Sequence, residues 1–289
     1  MNVIPFQLLA CPLDGDALHC RGATWCCTAG HSFDVASHGY THLLPVQNKR
    51  SRDPGDSKEM VAARRRFLNG GSYQPIAEAL SRATLADLPA IGSASCLDAG
   101  CGEGYYLRQL AAASRDGQTL ALLGLDISKW AVLAAVKQDQ QPNWVVGSNA
   151  RLPVQPGTLD RLLCIFGFPV YAEFARVLKP GGLLLQIDAG VDHLRELREI
   201  IYPSLKPKRS ADVSAPAGFS HLSSETVRYA LDLAGAQPIA DLLAMTPHLY
   251  RASAARRAQA AELTALSVTV DVRLTRFTRD GRRPEKRRP

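Results

Sequence analysis

The first residues that could do chemistry lie in the run D-A-G-C-G-E-G, which begins at Asp98 between a predicted buried strand and a predicted helix. Its glycines are Gly100, Gly102 and Gly104. Glycine lets the backbone turn tightly and approach a ligand closely. The carboxylates of Asp98 and Glu103 would repel a pyrophosphate, whereas they favour a cationic ligand such as the sulfonium and amino groups of S-adenosylmethionine. The run therefore predicts an S-adenosylmethionine site, and a purely structural glycine turn is the alternative.

A second acidic residue, Asp126, ends the next predicted strand, LLGLD. An acid about 20 residues beyond the glycine loop is placed to accept hydrogen bonds from ribose hydroxyls. Aspartate is also a good helix N-cap, and a predicted helix follows at once, so capping is the alternative. The position and the spacing together favour ribose binding by Asp126.

A third group of residues has the types and the spacing of a metal site. Four of the seven cysteines fall within the first 27 residues, which in a cytosolic protein indicates metal binding rather than disulfides. The pattern Cys11-x-x-Asp14, twelve residues, then Cys27-x-x-x-His31 has the spacing of a four-ligand zinc site. Asp14 stands where a cysteine is usual, so the other ligands to consider are Cys20 and Cys26. Buried cysteines without a metal are the alternative.

The charge distribution points to a polyanionic partner. The formal net charge is +7, and seven basic residues lie between positions 49 and 66. The predicted phosphate contacts in this segment are Lys49, Arg50, Arg52, Arg64 and Arg65. The alternative is that they form the solvent-exposed face of a helix. The aromatic side chains of Phe166 and Phe168 could stack on a base taken out of an RNA loop, with core packing as the alternative.

The elements that must position these residues follow from the hydrophobic pattern. From position 93, buried apolar segments alternate with helical segments of about ten residues, which predicts an α/β fold with a doubly wound, mainly parallel sheet. Further helices are expected over 58–68, 76–90 and 223–235, a loop over 206–218, and an edge strand over 267–277.

The chain divides by composition into four predicted segments. Residues 1–45 read as a small metal-held ribbon, 46–90 as a basic linker with helices, 91–278 as the main domain, and 279–289 as a disordered basic tail. No apolar run approaches the roughly 20 residues of a membrane span. The N-terminus lacks the features of a signal peptide, so a cytoplasmic location is expected.

The glycine loop, Asp126 and the turn L-K-P-G-G-L at 178–183 together resemble the class I Rossmann-like methyltransferases across residues 90–190. The metal module, the linker that ends in RRRFL, the segment GGSYQPI and the run GCGEGYY extend that resemblance. Over residues 9–250 the chain resembles the bacterial 23S rRNA guanine-N1 methyltransferases. A sister subfamily confers macrolide resistance.

This resemblance implies an activity and a set of partners. It implies methyl transfer from S-adenosylmethionine to N1 of a guanine in a hairpin loop of domain II of 23S rRNA. It also implies a zinc module that helps to bind RNA and a homodimer whose cleft receives the hairpin.

The resemblance also implies roles for individual residues. The family's cofactor contacts fall on Tyr73, Gly102, Glu103 and His193, and its zinc ligands fall on Cys11, Asp14, Cys27 and His31. Tyr73 could instead be a packed aromatic residue, and His193 a surface cap. Only Asp14 departs from the family's ligand types, which puts the affinity for the metal, or the choice of second ligand, in question.

Two other classes of function stay open at the level of sequence. A small-molecule methyltransferase would need neither a zinc module nor a basic linker, and a non-catalytic RNA-binding protein would not need the glycine loop. The sequence does not identify the general base that would remove the N1 proton. Cys164 lacks a context that would suit a covalent mechanism and is expected to be buried.

Overall fold

The computed structural model describes residues 2–48, 51–89, 91–204, 214–246 and 253–281. Lys49, Arg50, most of the predicted loop at 206–218 and residues 282–289 of the predicted tail lie outside these ranges. None of the helices in the described ranges is long and apolar enough to cross a membrane.

The strands are β1 Asn2–Pro5, β2 His19–Arg21, β3 Thr24–Cys26, β4 Ser32–Asp34, β5 Tyr40–His42, β6 Gly92–Ala99, β7 Gln118–Asp126, β8 Asn143–Val146, β9 Leu159–Ile165, β10 Leu178–Ala189, β11 Phe219–Ala234 and β12 Ala265–Arg279. The helices are α1 Lys58–Asn69, α2 Gln74–Leu85, α3 Tyr105–Ala113, α4 Lys129–Gln138, α5 Tyr171–Val177, α6 Arg195–Ile201, α7 Ala236–Ala244 and α8 Ala254–Ala261, with a short 3-10 helix at Val46–Asn48.

The central sheet confirms the predicted doubly wound class. Its strand order is β11-β12-β10-β9-β6-β7-β8-β5, and the strands from β10 to β5 run parallel. β6, β7 and β9 lie in the middle of the sheet, and their continuous apolar runs are buried because helices cover both faces of a parallel sheet. The carboxyl ends of these strands therefore meet at one edge, where the glycine loop and Asp126 lie.

One predicted element is of the wrong type, and one predicted strand is confirmed but lies at another place in the sheet. The segment 223–235 was expected to be a helix, but all of it except Gly235 belongs to strand β11, which pairs antiparallel with β12. The segment 267–277, expected at an edge, belongs to β12, which lies between β10 and β11. Alternation of apolar and polar residues reports which face of a strand is buried, but it does not report whether both backbone edges are paired.

The N-terminal segment is joined to the main sheet by backbone pairing. β2, β3 and β4 form a small antiparallel sheet of their own, whereas β1 pairs with β7 and β5 pairs with β8, both in parallel. Side chains from this segment, including Phe6, Leu18 and Trp25, share one buried hydrophobic cluster with Leu97 and Leu125 of the central strands. The described residues of the N-terminal segment thus contribute to the hydrophobic core of the main sheet.

Helix α1 is attached to α7 by an ion pair. Arg66 donates hydrogen bonds to both carboxylate oxygens of Asp241, and the Asp241 side chain is 5% exposed while that of Arg66 is 50% exposed.

We expect Arg66→Met to lower the free energy of unfolding by about 2 kcal/mol, because it removes the charged partner of a buried carboxylate. Urea unfolding would measure this, with Arg65→Met as the matched control expected to change stability by under about 0.5 kcal/mol. Equal effects of the two substitutions would contradict the assignment.

Candidate functional site

The glycine loop connects β6 to α3, and its glycines serve two purposes. Gly100, Gly102 and Gly104 have φ angles of +103°, +55° and +83°. A Cβ at Gly100 would meet nothing within 4 Å, so the loop has open space on its ligand side. A Cβ at Gly104 would instead lie 2.6 Å from the indole ring of Trp144, which packs beneath the loop. Glycine is therefore needed at 104 for packing as well as for backbone conformation.

The carboxylate of Asp98 lies fully buried at the start of this loop. Neither of its oxygens has a hydrogen-bond partner among the described residues. Burial, and then the nearby charge of Asp126, raises the pKa of Asp98 to about 8. A buried carboxylate without a partner is costly, so this residue fits a site that is completed by a cationic ligand.

Asp126 supports the glycine loop directly. Its carboxylate accepts hydrogen bonds from the backbone N–H of Gly102 at 2.9 Å and from that of Ser128 at 2.8 Å. The N-cap of α4 is Ser128, whose hydroxyl accepts from the backbone N–H of Ala131, so the alternative role of Asp126 as the cap is wrong. A carboxylate can accept about four hydrogen bonds, which leaves Asp126 capacity for a ligand's hydroxyl groups.

The side chain of Glu103 is engaged within the protein. Its Oε2 accepts from Arg108 at 3.0 Å and from Gln138 at 2.5 Å, so the carboxylate links α3 to α4. Its Oε1 is buried without a partner among the described residues, whereas its backbone carbonyl already accepts from Arg108 at 2.7 Å. A contact between Glu103 and the cofactor stays a prediction.

Tyr73 and His193 meet beside Phe166, although they lie far apart in sequence. The backbone N–H of Asp271 donates to Nδ1 of His193 at 3.3 Å, so in the neutral ring the proton lies on Nε2, which is 3.4 Å from the Tyr73 hydroxyl. The ring of Phe166 stacks on His193 at a centroid distance of 5.6 Å and an interplanar angle of 25°. Phe166 and Leu194 both have positive φ angles, near +51° and +52°. Such strain in residues with side chains is typical of functional sites.

The predicted base-stacking residues differ in exposure. Phe168 is 89% exposed and Phe166 is 40% exposed, and both lie in the loop that follows β9. Phe168 has the exposure that a free stacking surface needs, whereas Phe166 already packs against His193 and lies 6.1 Å from the Tyr73 ring. Cys164, just before this loop, is buried as expected.

The basic linker contacts the cofactor loop. Arg64 forms an ion pair with Asp56 and donates to the carbonyl of Met245 at 3.2 Å, and its side chain lies 3.6 Å from the position of a Cβ on Gly102. The hydroxyl of Ser128 donates to the carbonyl of Asp56 at 2.7 Å. Arg64 is thus placed at the glycine loop. Sequence reasoning missed this role because contacts across the chain leave no local signal.

Apart from Arg66, which is paired with Asp241, the remaining described residues of the basic segment face solvent. Arg52 and Arg65 are exposed, and Arg52 lines a small pocket together with Lys129 and Trp130. Lys129, the first residue of α4, is exposed and lies beside Arg52 although the two are far apart in sequence.

The four predicted metal ligands lie together. One ligand atom from each of Cys11, Asp14, Cys27 and His31 lies within 4.8 Å of the other three. His31 Nδ1 is 2.8 Å from the Asp14 carboxylate and 3.4 Å from the Cys27 sulfur, and the Cys11 sulfur is 3.5 Å from the same nitrogen. Tetrahedral zinc with sulfur, nitrogen and oxygen ligands separates them by about 3.3 to 3.8 Å, so the group fits the ion with small adjustments. Cys20 and Cys26 lie outside the group.

Comparison with protein families finds a match to each part of the chain. Residues 9–52 match the model of a zinc ribbon described as "RlmA, N-terminal", and residues 96–182 match a model described as "Methyltransferase domain". The first match covers the four clustered ligands and the second covers the glycine loop and Asp126.

Relatives of similar length carry specific names. YxjB of Bacillus subtilis (strain 168), provisionally named a 23S rRNA (guanine-N(1)-)-methyltransferase, is 33% identical over 94% of this chain and 97% of its own. A protein of Micromonospora griseorubida with the same provisional name is 34% identical over 93% of this chain and 96% of its own. The 23S rRNA (guanine(748)-N(1))-methyltransferase of Streptomyces fradiae is 33% identical over 80% of this chain and 81% of its own.

Proposed function

This chain belongs to the family of 23S rRNA (guanine-N1)-methyltransferases, and from that premise we propose how its residues perform the reaction. The enzyme transfers a methyl group from S-adenosylmethionine to N1 of a guanine in 23S rRNA. The observation that supports placing the cofactor here is the carboxylate of Asp98, which is fully buried beneath the glycine loop and has no hydrogen-bond partner in the part of the chain that the structure describes.

We propose that the glycine loop and its acids hold the cofactor. Asp98 would balance the positive charge of the ligand, Asp126 would accept hydrogen bonds from ribose hydroxyls, and the backbone at Gly100 would let the ligand approach closely. Bound there, S-adenosylmethionine supplies an electrophilic methyl group on a sulfonium. Tyr73 and His193 would close the site from the side, since their mutual hydrogen bond fixes both rings.

Methyl transfer requires the nucleophile, the methyl carbon and the sulfur to be in line, so the protein acts mainly by alignment. We propose that Phe168 stacks on the target base once the base leaves its loop, while Phe166 is held by His193 and shapes the side of the site. His193 does not serve as the base in this arrangement, because its Nδ1 lone pair accepts the backbone N–H of Asp271.

We propose that Cys11, Asp14, Cys27 and His31 bind the zinc ion, because their ligand atoms are the ones that meet. Residues 1–45 contain three aspartates and one arginine, so this module is a poor binding surface for phosphates. The module would contribute to RNA binding indirectly, because its strands and core residues support the main sheet.

For the partners and the location we propose the arrangement that the family resemblance implies. The substrate would be a hairpin loop of domain II, bound in the cleft of a homodimer, with the enzyme in the cytoplasm. The exposed arginines of the linker, together with Lys129, support the contact with RNA.

We expect the double substitution Arg52→Ala and Arg65→Ala to weaken RNA binding. The slope of the logarithm of the association constant against the logarithm of the salt concentration should become less steep by about two, one for each lost phosphate contact. Both side chains are exposed and lie outside the cofactor loop. Filter binding at several salt concentrations would measure the slope. Arg115→Ala is the matched control, because Arg115 is exposed just before β7 at the opposite edge of the sheet. An unchanged slope would remove these two residues from the RNA surface.

The proposed function is tested by methyl transfer from labelled S-adenosylmethionine to 23S rRNA from a strain that lacks the endogenous methyltransferase. Primer extension would map the modified base, since methylation at N1 blocks pairing. A single new stop at a guanine of a domain II hairpin is the expected result. Cofactor binding without incorporation into either free rRNA or the ribosomal subunit would overturn the proposal.

A further inference from the structure

Asn149 lies in the turn after β8 and connects the cofactor loop to the loop that carries Phe168. Its Nδ2 donates to the carbonyl of Ala99, at the end of β6, and to the carbonyl of Phe168, both at 3.3 Å. Because both neighbours are carbonyl oxygens, only the amino end of the side chain can face them. The orientation of the carboxamide is therefore fixed, and its oxygen points the other way.

That oxygen is buried and has no hydrogen-bond partner among the described residues. A buried acceptor of this kind is costly, and in a folded protein it indicates a missing donor. Within the described ranges, the other buried side-chain oxygens that lack a hydrogen-bond partner belong to the carboxylates of Asp98 and Glu103. Asp98 lies beneath the glycine loop and Glu103 is turned toward Arg108, so Asn149 is the one of the three that touches the Phe168 loop.

The chemistry of the reaction limits which donor could meet this acceptor. The methyl group reaches guanine N1 in the plane of the ring, along the direction that the N1 proton leaves. An acceptor that holds this proton without removing it would obstruct the methyl group, and a carboxamide oxygen is too weak a base to remove it. The neighbouring exocyclic 2-amino group keeps its N–H donors throughout, and adenine lacks it.

We propose that the carboxamide oxygen of Asn149 accepts a hydrogen bond from the 2-amino group of the target guanine. Asn149 thereby selects guanine and positions N1 for attack, while its amino group holds the Phe168 loop against the end of β6. This inference rests on the proposed function, since it concerns the base that the enzyme methylates.

The test uses two RNAs that differ at one position, with guanosine or inosine at the nucleotide that primer extension identifies. Inosine keeps N1 and lacks only the 2-amino group. For the wild-type enzyme we expect kcat/KM to be about 10- to 100-fold lower on inosine, as for other sites in which a buried polar group loses its partner. For Asn149→Ala we expect kcat/KM on the guanosine RNA to fall to the value on the inosine RNA, so that the two values differ by no more than about threefold.

The ratio of two substrates on one enzyme preparation does not depend on the fraction of active protein, so partial misfolding cannot imitate the result. Ser148→Ala, in the same turn, is the matched control and should keep the wild-type ratio. If Asn149→Ala slows both RNAs equally, Asn149 only tethers the loop and the inference is wrong. Weaker binding of S-adenosylmethionine with an unchanged ratio would also overturn it, by assigning the acceptor to the cofactor. Failure of the wild-type enzyme on the guanosine RNA would instead contradict the proposed function.

Discussion

Asp98→Asn is expected to weaken the binding of S-adenosylmethionine by about 30- to 100-fold above pH 8, and to remove most of its pH dependence. The carboxylate is fully buried without a partner among the described residues, so a cationic ligand would be its main counter-charge. Loss of a charged partner in a buried site costs roughly 2 to 3 kcal/mol, which corresponds to that change in affinity.

The sign of the pH dependence follows from the pKa of Asp98, which burial raises to about 8. Below pH 8 the free protein holds a proton on this carboxyl, and a cationic ligand must displace it. Affinity should therefore rise by up to about tenfold per pH unit from pH 6 to pH 8 and level off above pH 8. Binding should release a proton in the lower part of this range.

Isothermal titration calorimetry in buffers of different ionisation enthalpy would measure both the affinity and the proton release. Asp126 also has a pKa raised by burial, but two backbone N–H groups favour its ionised form. The buried thiols nearby stay protonated, because burial raises the pKa values of Cys96, Cys101 and Cys164. A wild-type affinity that is flat between pH 6 and pH 8 would contradict the role of Asp98.

The stability of the free protein provides a control for the Asp98→Asn variant. The pKa of Asp98 is raised in the folded state, so this group's contribution to stability is greatest below the unfolded value near 3.8 and is lost as the pH rises toward 8. The carboxamide that replaces the carboxyl group cannot ionise, so we expect the variant to be at least as stable as the wild type at pH 8 while it binds the cofactor less well. Loss of affinity with loss of stability would indicate a damaged fold instead.

Removal of zinc is expected to lower the melting temperature by about 10 °C or more and to weaken cofactor binding at the same time. Cys11 and Cys27 belong to the hydrophobic cluster that contains Leu97 and Ala99, the residues that lead into the glycine loop. Arg151 also donates to the carbonyl of Leu13 at 3.2 Å, which links the metal loop to the turn after β8. A loss of a few kcal/mol in a domain of this size corresponds to a shift of that order.

The measurement combines metal analysis, thermal unfolding and cofactor titration on Cys27→Ser and on protein treated with a chelator. Cys20→Ser is the matched control and should retain the metal, because Cys20 is exposed and lies outside the group of ligands. Asp14→Cys should hold zinc more tightly against a chelator, since thiolate is a better ligand for zinc than carboxylate. Full cofactor affinity in metal-free protein would show that the module does not support the site.

Several features of this protein could be predicted from local sequence. The glycine loop is one short run and Asp126 ends one strand, while the four metal ligands form two short pairs, Cys11 with Asp14 and Cys27 with His31. Alternating buried segments and helices specified the fold class, because burial of a parallel sheet requires continuous apolar strands. The family resemblance extended these local patterns to a substrate.

Other features were decided only by tertiary structure. The segment of β11 and the place of β12 were mispredicted, because pairing of backbone edges is not visible in side-chain alternation. The meeting of Tyr73 with His193 and the bridge of Asn149 from Ala99 to Phe168 join residues at least 19 positions apart.

By itself the sequence determined which residues carry charge, bend the backbone and could bind a metal, since these are properties of single side chains and short spacings. Tertiary structure decided which of those groups are left without partners. Arg64 proved to be paired at the cofactor loop, while Asp98 and the oxygen of Asn149 are buried without a partner among the described residues. The physical reason is that desolvation and hydrogen-bond satisfaction depend on every element packed around a group, and only the folded chain brings those elements together.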